Sequence, residues 1–313
     1  MPSRAIPEPI RYGGRADLPQ FLAFATASTA ARAPLRALWH PGDLAWQLRG
    51  RYDAPQALYG FADEAGGLAA IARFQAPGEL LLEVMPARDA MTAPLLDWAV
   101  EKARRAPPAV RAPALRLTVF ERDEARREAA AAAGFAPAGP AGVHFERALT
   151  DQTSDPAPPP GVRLRDCVGI DPEARAEVHR AAWSALGHLG IEGASTFSAA
   201  LYDSLETSGV YDAALDMVAE AEDGTLVANC LAWADPVSGV GTFEPVGVHP
   251  DFRGRGLAGA VMMAAMRRLS GAGHQVARVG TAHFNAAAIA SYAKSFELVD
   301  RSGNWERPIA APD

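Results

Sequence analysis

The chain has 313 residues, of which 49% are hydrophobic and 21% charged, and its net charge is −7. This composition suits two packed globular domains, and the acidic balance argues against nucleic acid or an anionic membrane as the main partner. No apolar run reaches the roughly 18 residues of a membrane span, and the N-terminus lacks the apolar core of a secretory signal. We therefore expect a cytoplasmic protein without membrane contact.

The first half shows the alternating and helical spacing of a mixed structure. Strands are expected at 57–62, 68–74, 80–86 and 114–119, and helices at 95–105 and 125–133. The stretch from Trp39 to Asp43 is interpreted as a turn or helix cap, with Asp43 capping a helix that begins at Leu44. We assign no chemistry to this stretch.

Residues 150–161 are polar and rich in proline, which predicts a semi-rigid linker between a first domain at 1–149 and a second at 162–313. In the second domain, strands are expected at 162–165, 213–220, 226–234, 240–248 and 276–281, with closing strands at 296–299 and 304–308. Helices are expected at 172–186, 196–207, 257–270 and 285–295.

The two cysteines, Cys167 and Cys230, are too few for a disulfide framework or a zinc site. Each is expected to be a small buried hydrophobic residue. No histidine pair has the spacing of a metal site, so we expect no metal.

The most informative stretch is the loop Arg253-Gly254-Arg255-Gly256, which joins the strand at 240–248 to the helix at 257–270. The two glycines remove side chains where a ligand would approach the backbone. The first turn of the helix leaves N–H groups without intrahelical partners, and together with the helix dipole they favour a pyrophosphate. The alternative is an ordinary glycine-rich turn before a surface helix.

The six residues from Arg253 to Ala258, Arg-x-x-Gly-x-Ala, resemble the acyl-CoA signature of the GNAT superfamily of N-acetyltransferases. The order of elements in the second half is also that of the family. The stretch from Asn285 to Phe296 resembles the family's Asn-x₆-Tyr-x₃-Phe pattern, with Ser295 where the family usually has glycine. The resemblance implies an α/β fold built on an α+β mixed sheet.

The resemblance also implies acetyl-CoA as the acetyl donor. The pyrophosphate is expected against the backbone from Arg253 to Ala258, and the pantetheine amides against Gly247 and Val248, with the Val248 N–H as an oxyanion donor. The full set of residues expected to bind the cofactor is Val246, Gly247, Val248, Arg253, Gly254, Arg255, Gly256, Leu257, Ala258, Asn285 and Tyr292.

Two residues are candidates for proton transfer. Glu244 precedes the loop on the same strand, and period-2 alternation predicts that it shares a face with Val246 and Val248. It is the candidate base for the amine, and the alternative is a surface glutamate in a salt bridge. Tyr292 is the candidate acid for the CoA thiolate, and the alternative is core packing.

The first half repeats the order of elements with altered motifs. If its strand at 80–86 is aligned with 242–250, Asp89, Thr92 and Pro94 fall where Arg253, Gly256 and Ala258 stand, and Ala131 falls opposite Tyr292. An acidic residue then replaces the arginine. We expect two tandem GNAT folds from an internal duplication, the first of them degenerate.

The predicted function is transfer of acetyl to a primary amine of a small molecule by direct attack in a ternary complex. Trp183, His188 and Glu192 lie where family members often build the acceptor pocket, although ordinary helix packing explains them equally well. The alternatives are acetylation of protein amino groups, a non-catalytic acyl-CoA-binding regulatory module, and a structural protein that binds no CoA. The two-domain layout is similar to that of mycothiol synthases in architecture only, and we expect a monomer or weak homodimer.

Overall fold

The computed structural model describes residues 6–150, 158–184 and 195–309, so residues 151–157 of the predicted linker lie outside the described residues. Within these ranges the α-helices are α1 (Leu18–Arg32), α2 (Pro41–Leu48), α3 (Thr92–Arg104), α4 (Glu124–Ala132), α5 (Pro172–Ala182), α6 (Ala199–Glu206), α7 (Leu257–Gly271) and α8 (Ala286–Tyr292). The β-strands are β1 (Ile10–Arg11), β2 (Leu58–Ala62), β3 (Leu68–Ala76), β4 (Glu79–Val84), β5 (Ala114–Phe120), β6 (Ala136–Ala148), β7 (Val162–Asp166), β8 (Asp216–Ala221), β9 (Leu226–Asp235), β10 (Val240–Val248), β11 (Val276–Ala282) and β12 (Glu297–Pro308). Among the described helices, none is both long and apolar enough to cross a bilayer.

The chain forms two compact units, each assembled from separate stretches of sequence. The first unit consists of Met1–His40, Arg51–Val143 and Asp300–Asp313, and the second of Pro41–Gly50 and His144–Val299. The boundary between the units falls within β6, between Val143 and His144, and not at the predicted linker. The units also exchange two segments relative to the predicted domains, because α2 belongs to the second unit and most of β12 to the first. Both exchanges depend on contacts between distant parts of the chain, which local sequence patterns do not carry.

The first unit is a mixed sheet with helices packed against it. Its strands are ordered β1-β2-β3-β4-β5-β12, and neighbours are antiparallel except β4 and β5. Its core is a cluster of apolar side chains from the sheet and from α3 and α4, including Leu80, Leu82, Leu95, Leu96, Leu115, Leu117 and Ala130. Each fully buried leucine contributes about 1.5–3 kcal/mol to folding.

Strand β12 is continuous, whereas the sequence predicts two closing strands separated by a gap. The polar residues in that gap lie in the ladder, since Ser302 is opposite Phe120 and Gly303 is opposite Val119 of β5. Pairing with β5 supplies the backbone hydrogen bonds that override the turn-like composition of this segment.

The second unit has the strand order β7-β8-β9-β10-β11, antiparallel except between β10 and β11. Two glycines of β10 show what covers its two faces. A Cβ on Gly241 would lie 2.4 Å from Leu269 of α7, and a Cβ on Gly247 would lie 2.4 Å from Trp183, directly after α5. Helix α7 therefore covers one face and α5 the other.

A bulge in β10 reverses the alternation of its side chains. Phe243 is opposite Ala232 of β9 and Val246 is opposite Cys230, so Glu244 and Pro245 together stand against one residue of β9. Proline has no N–H to donate to the ladder and is common at such bulges. Regular alternation would have put Gly241 and Gly247 on the same face, and the bulge separates them.

The bulge makes the predicted face of Glu244 wrong. Val246 and Val248 pair with Cys230 and Ala228, which share one face of β9, whereas Glu244 meets a carboxylate of α2 on the opposite face. The prediction assumed an unbroken period of two, and the extra residue at Pro245 shifts every later side chain to the other side.

Candidate functional site

The end of β10, the loop after it, the start of α7 and helix α8 enclose a cleft of about 410 Å³ in the second unit. Ten of the eleven residues expected to bind the cofactor line this cleft: Val246, Gly247, Val248, Arg253, Gly254, Gly256, Leu257, Ala258, Asn285 and Tyr292. Arg255 is not among the lining residues. Its guanidinium lies 4.7 Å from the centre of the Phe252 ring and donates to the Asp251 carbonyl oxygen at 3.4 Å.

The loop depends on two glycines for its backbone conformation. Gly254 has φ 78° and Gly256 has φ 80°, in the left-handed region where other residues are strained. A Cβ at either position would meet no atom within 4 Å, so the space beside them is open. The first hydrogen bond of α7 runs from Ala260 N to Gly256 O at 3.1 Å, which leaves the N–H groups of 257–259 for a ligand.

Strand β10 separates from β11 where it enters the cleft. Their parallel pairing covers Val240 to Phe243 only, so the later residues of β10 have an unpaired edge. His249 N donates to Val227 O at 2.9 Å, and hydrogen-bonded pairs alternate along an antiparallel ladder. The N–H and C=O groups of Gly247 therefore point toward β9. Those of Val246 and Val248 point the other way, toward the open edge. Of the two residues expected to pair with the pantetheine amides, Val248 therefore presents its backbone groups to the open edge and Gly247 does not.

Arg253 is tied to the end of α5, because its Nη2 donates to the Ala182 carbonyl oxygen at 3.0 Å. This bond satisfies one of the carbonyl groups that the last turn of a helix leaves open. It also fixes the direction of the guanidinium at the rim of the cleft.

Helix α8 carries the other two cleft residues. Asn285 caps it, with Oδ1 accepting from Ala288 N at 3.2 Å, which leaves Nδ2 as the group for a ligand. Tyr292 is buried and packs edge-to-face on Phe145 at 5.9 Å. Burial raises the pKa of Tyr292, and the nearby Cys230 and Glu244 raise it further, so its hydroxyl keeps its proton at neutral pH.

The end of α8 shows how the serine substitution is accommodated. Every residue with a positive φ in the described chain is a glycine, so Ser295 does not take the left-handed conformation. Phe296 N instead donates to Tyr292 O at 2.9 Å. In the first unit Gly134, before Phe135, does have φ 77°, so the two copies end this helix differently.

Glu244 lies beside another carboxylate. Burial and then the Asp43 carboxylate raise the pKa of Glu244 to about 8, against a smaller opposing effect of Arg49. The backbone oxygen of Glu244 accepts from Trp233 Nε1 at 2.7 Å. Because its main charged neighbour is acidic, Glu244 does not match the salt-bridged surface glutamate of the alternative interpretation.

Asp43 was predicted as the cap of a helix beginning at Leu44, and this is wrong. Helix α2 begins at Pro41, a favoured first residue of a helix, so Asp43 lies within the first turn. The proline was the signal available in the sequence for the helix start. Nothing in the sequence pairs Asp43 with a glutamate about 200 positions later.

Aromatic side chains lie next to the cleft in the region where an acceptor pocket was expected. Trp183 stacks on His179 with ring centres 4.2 Å apart, and Trp46 lies 5.8 Å from His179 and 5.4 Å from Phe197. Burial and then the neighbouring arginines, Arg175 first, lower the pKa of His179 to about 3, so this ring is neutral. His188 and Glu192 lie outside the described residues. Among the described residues, no group of three or more His, Cys, Asp or Glu side chains is arranged to hold a metal ion.

The equivalent region of the first unit is filled by a buried ion cluster. Arg32 of α1 donates to the backbone oxygen of Val84 at 2.6 Å, at the position equivalent to Val248, and its Nε donates to the Glu83 carboxylate. Arg126 Nη2 also donates to Glu83, at 3.1 Å, and Asp123 accepts from Arg32 at 3.1 Å. Asp123 caps α4 as Asn285 caps α8, so these two residues are equivalent. Aligning the two halves on their caps sets Ala130 opposite Tyr292, one residue before the predicted Ala131.

The loop of the first unit has also lost the features of a phosphate site. Residues 86–91 contain no glycine and form 3₁₀ turns, with a kink at Arg88, that run directly into α3. Asp89 stands in this segment, 3.7 Å from Arg32. The first unit keeps the fold but has ionic side chains where the second unit has an open cleft, as expected for a degenerate copy.

Comparison with known proteins supports this assignment. Residues 183–297 match the acetyltransferase (GNAT) family. The second half of the chain thus matches an acyltransferase family of the GNAT type. The chain carries a domain of this family in its second half, and as a whole it has a tandem GNAT fold.

Solved structures give the same fold over nearly the whole chain. A GCN5-related N-acetyltransferase from Sphaerobacter thermophilus is 19% identical with a TM-score of 0.58, and 99% of each chain is covered. A tandem GNAT protein from the clavulanic acid biosynthesis pathway is 19% identical with a TM-score of 0.64, covering 97% of this chain and 98% of that one. A fungal glucosamine N-acetyltransferase region is 16% identical with a TM-score of 0.51, covering 97% of this chain and 38% of that one. No curated protein sequence matches the chain significantly.

Proposed function

We propose that the second unit transfers an acetyl group from acetyl-CoA to a primary amine of a small molecule, by direct attack in a ternary complex. The observation that carries the proposal is the unpaired edge of β10 after Phe243, which opens into the cleft next to the loop from Arg253 to Ala258. Its N–H and C=O groups suit the amides of a pantetheine arm, and the loop suits a pyrophosphate.

Glu244 suits the role of base for the attacking amine. An alkylammonium has a pKa near 10, and a carboxyl group with an ordinary pKa of about 4.3 accepts its proton at a large cost. The pKa of about 8 at Glu244 reduces this difference to about 2 and lies near the operating pH, where general-base catalysis works best. The amine nitrogen bonds to the acetyl carbon as the carbon–sulfur bond breaks, and its proton passes to Glu244.

Tyr292 suits the role of acid for the leaving thiolate. Its hydroxyl remains protonated at neutral pH, and Tyr292 lines the same cleft as Val246 and Val248. A backbone N–H of Val248 at the open edge would stabilise the charge that develops on the acetyl oxygen.

The test is release of CoA from acetyl-CoA with a panel of amines. The panel contains spermidine, tobramycin, glucosamine and a short peptide with a free N-terminus; glucosamine is included because one structural neighbour is described as a glucosamine N-acetyltransferase region. We expect amine-dependent CoA release that Glu244→Gln lowers by about 100-fold or more. The matched control is Glu206→Gln, at an exposed position of α6, which should leave the rate unchanged. Absence of amine-dependent release across the panel, with acetyl-CoA bound, would refute catalysis on small amines and favour the binding module or a protein substrate.

A further inference from the structure

Helix α2, from the first half of the chain, lies within the second unit and packs next to the candidate base. A Cβ on Gly42 would lie 2.1 Å from Trp233 Cβ, so only glycine allows α2 to approach this closely. Trp233 in turn donates its indole N–H to the backbone oxygen of Glu244 at 2.7 Å. Through these contacts the first turn of α2 brings the Asp43 side chain into hydrogen-bonding contact with the Glu244 carboxyl group.

We propose that Asp43 is a positioning residue for the reaction proposed above, on which this inference rests, and that it acts by sharing one proton with Glu244. Two carboxylates in contact cannot both ionise easily, so the pair holds its last proton more tightly than either group would alone. In the proposed reaction Asp43 contacts neither acetyl-CoA nor the acetyl carbon. Its function is to set the proton affinity of the group that takes the amine proton.

The charged groups around the pair support this assignment. Asp43 faces Glu244 from α2, Arg49 from the turn directly after α2, and Tyr292 from α8. Arg49 lies 3.8 Å from the centre of the Trp46 ring and donates to the Trp46 carbonyl oxygen at 2.6 Å, so its charge is directed only partly at the pair. His179 of α5, also near Arg49, is neutral at physiological pH.

The proton balance of the step is simple. The doubly ionised pair takes one proton from the attacking amine as the nitrogen–carbon bond forms, and it ends singly protonated. The leaving thiolate takes its proton from Tyr292. The pair and the tyrosine then exchange protons with water, so no further reactant is required. Both Asp43 and Glu244 keep partial exposure, which allows this exchange.

The experiment is a ¹³C NMR titration of the side-chain carboxyl groups in the full chain, with Glu244→Gln used to assign the Glu244 signal. We expect a midpoint near pH 8 for Glu244 in the wild type. In Asp43→Asn the midpoint should fall by about one pH unit, because burial still raises the pKa of Glu244, and the ionised fraction at pH 7 should rise from about a tenth to about a half. Asp203→Asn, an exposed change on α6, should leave it in place. A shift below half a pH unit in Asp43→Asn would overturn the proposal.

Two further measurements keep the proposal testable. If Asp43→Asn does not fold, the wild-type signals of Asp43 and Glu244 still decide, because a shared proton makes both signals move in both titration steps, and independent single steps contradict it. The second measurement is the pH profile of kcat, with the amine of the panel that is acetylated fastest. Its midpoint should fall in Asp43→Asn, whereas a purely structural role of Asp43 would lower kcat without moving the midpoint. The NMR result does not require turnover, so failure of the proposed function and failure of this proposal are distinguishable.

Discussion

The buried ion cluster of the first unit allows a quantitative prediction. Glu83 is 1% exposed and accepts hydrogen bonds from Arg32, Arg126, Ser28 Oγ at 3.0 Å and the Leu38 N–H at 2.6 Å. The change Glu83→Ala leaves the buried guanidinium groups of Arg32 and Arg126 with the Asp123 carboxylate but without that of Glu83. Breaking a buried ion pair in this way costs about 3–5 kcal/mol, a large fraction of the stability of a domain.

The assay is urea denaturation followed by circular dichroism and tryptophan fluorescence. We expect the free energy of unfolding of the first unit to fall by about 3–5 kcal/mol in Glu83→Ala. The matched control is Glu128→Ala on α4, where the side chain is exposed and the change should be within about 0.5 kcal/mol. A loss below about 1 kcal/mol in Glu83→Ala would show that the cluster does not hold the unit together.

The pH dependence of this stability has a definite sign. Burial alone would raise the pKa of Glu83, but Arg126 and Arg32 hold it below its usual range. A group with a depressed pKa contributes stability above its unfolded pKa of about 4.3 and loses it as the pH falls through the folded value. The wild type should therefore lose stability in acid, and Glu83→Gln should flatten that dependence.

Three further predictions concern the second unit. The rate of acetyl transfer in the wild type should rise with pH through about 8, because Glu244 must be ionised to accept a proton; a flat profile between pH 6.5 and 9 would exclude it as the base. Tyr292→Phe should lower kcat by about 100-fold with little change in the Kd of acetyl-CoA, while Tyr202→Phe, a buried hydroxyl bonded to Tyr211, should leave kcat unchanged; equal effects would argue against the acid role. Gly247→Ala places a Cβ 2.4 Å from Trp183 and should cost about 1–3 kcal/mol in urea denaturation, and no measurable cost would contradict the close approach of α5 to β10.

Much of the cleft of the second unit could be predicted from sequence, because its determinants are local. The positive φ values of Gly254 and Gly256, the start of α7 at Leu257 and the capping of α8 by Asn285 each depend on a few adjacent residues. The strand and helix order of the second half follows from hydrophobic periodicity for the same reason.

The features that the sequence did not predict depend on distant contacts or on a break in the pattern. The face of Glu244 was wrong because Pro245 introduces a bulge that period-2 alternation does not anticipate. Asp43 reaches Glu244 only because α2 packs in the second unit. Arg32 occupies the region of the first unit equivalent to the cleft only because α1 lies beside β4. The composition of these segments is ordinary, and their function comes from which residues they meet.

The most direct test of the account is calorimetric titration of the full chain with acetyl-CoA. We predict one site per chain, lost in Gly256→Glu and retained in Gly224→Glu, since both glycines have a left-handed φ and open space around Cβ but only Gly256 lines the cleft. Two sites would contradict the degenerate first unit, and binding that survives Gly256→Glu would contradict the placement of the cofactor. No binding by the wild type would contradict the proposed acetyl transfer from acetyl-CoA.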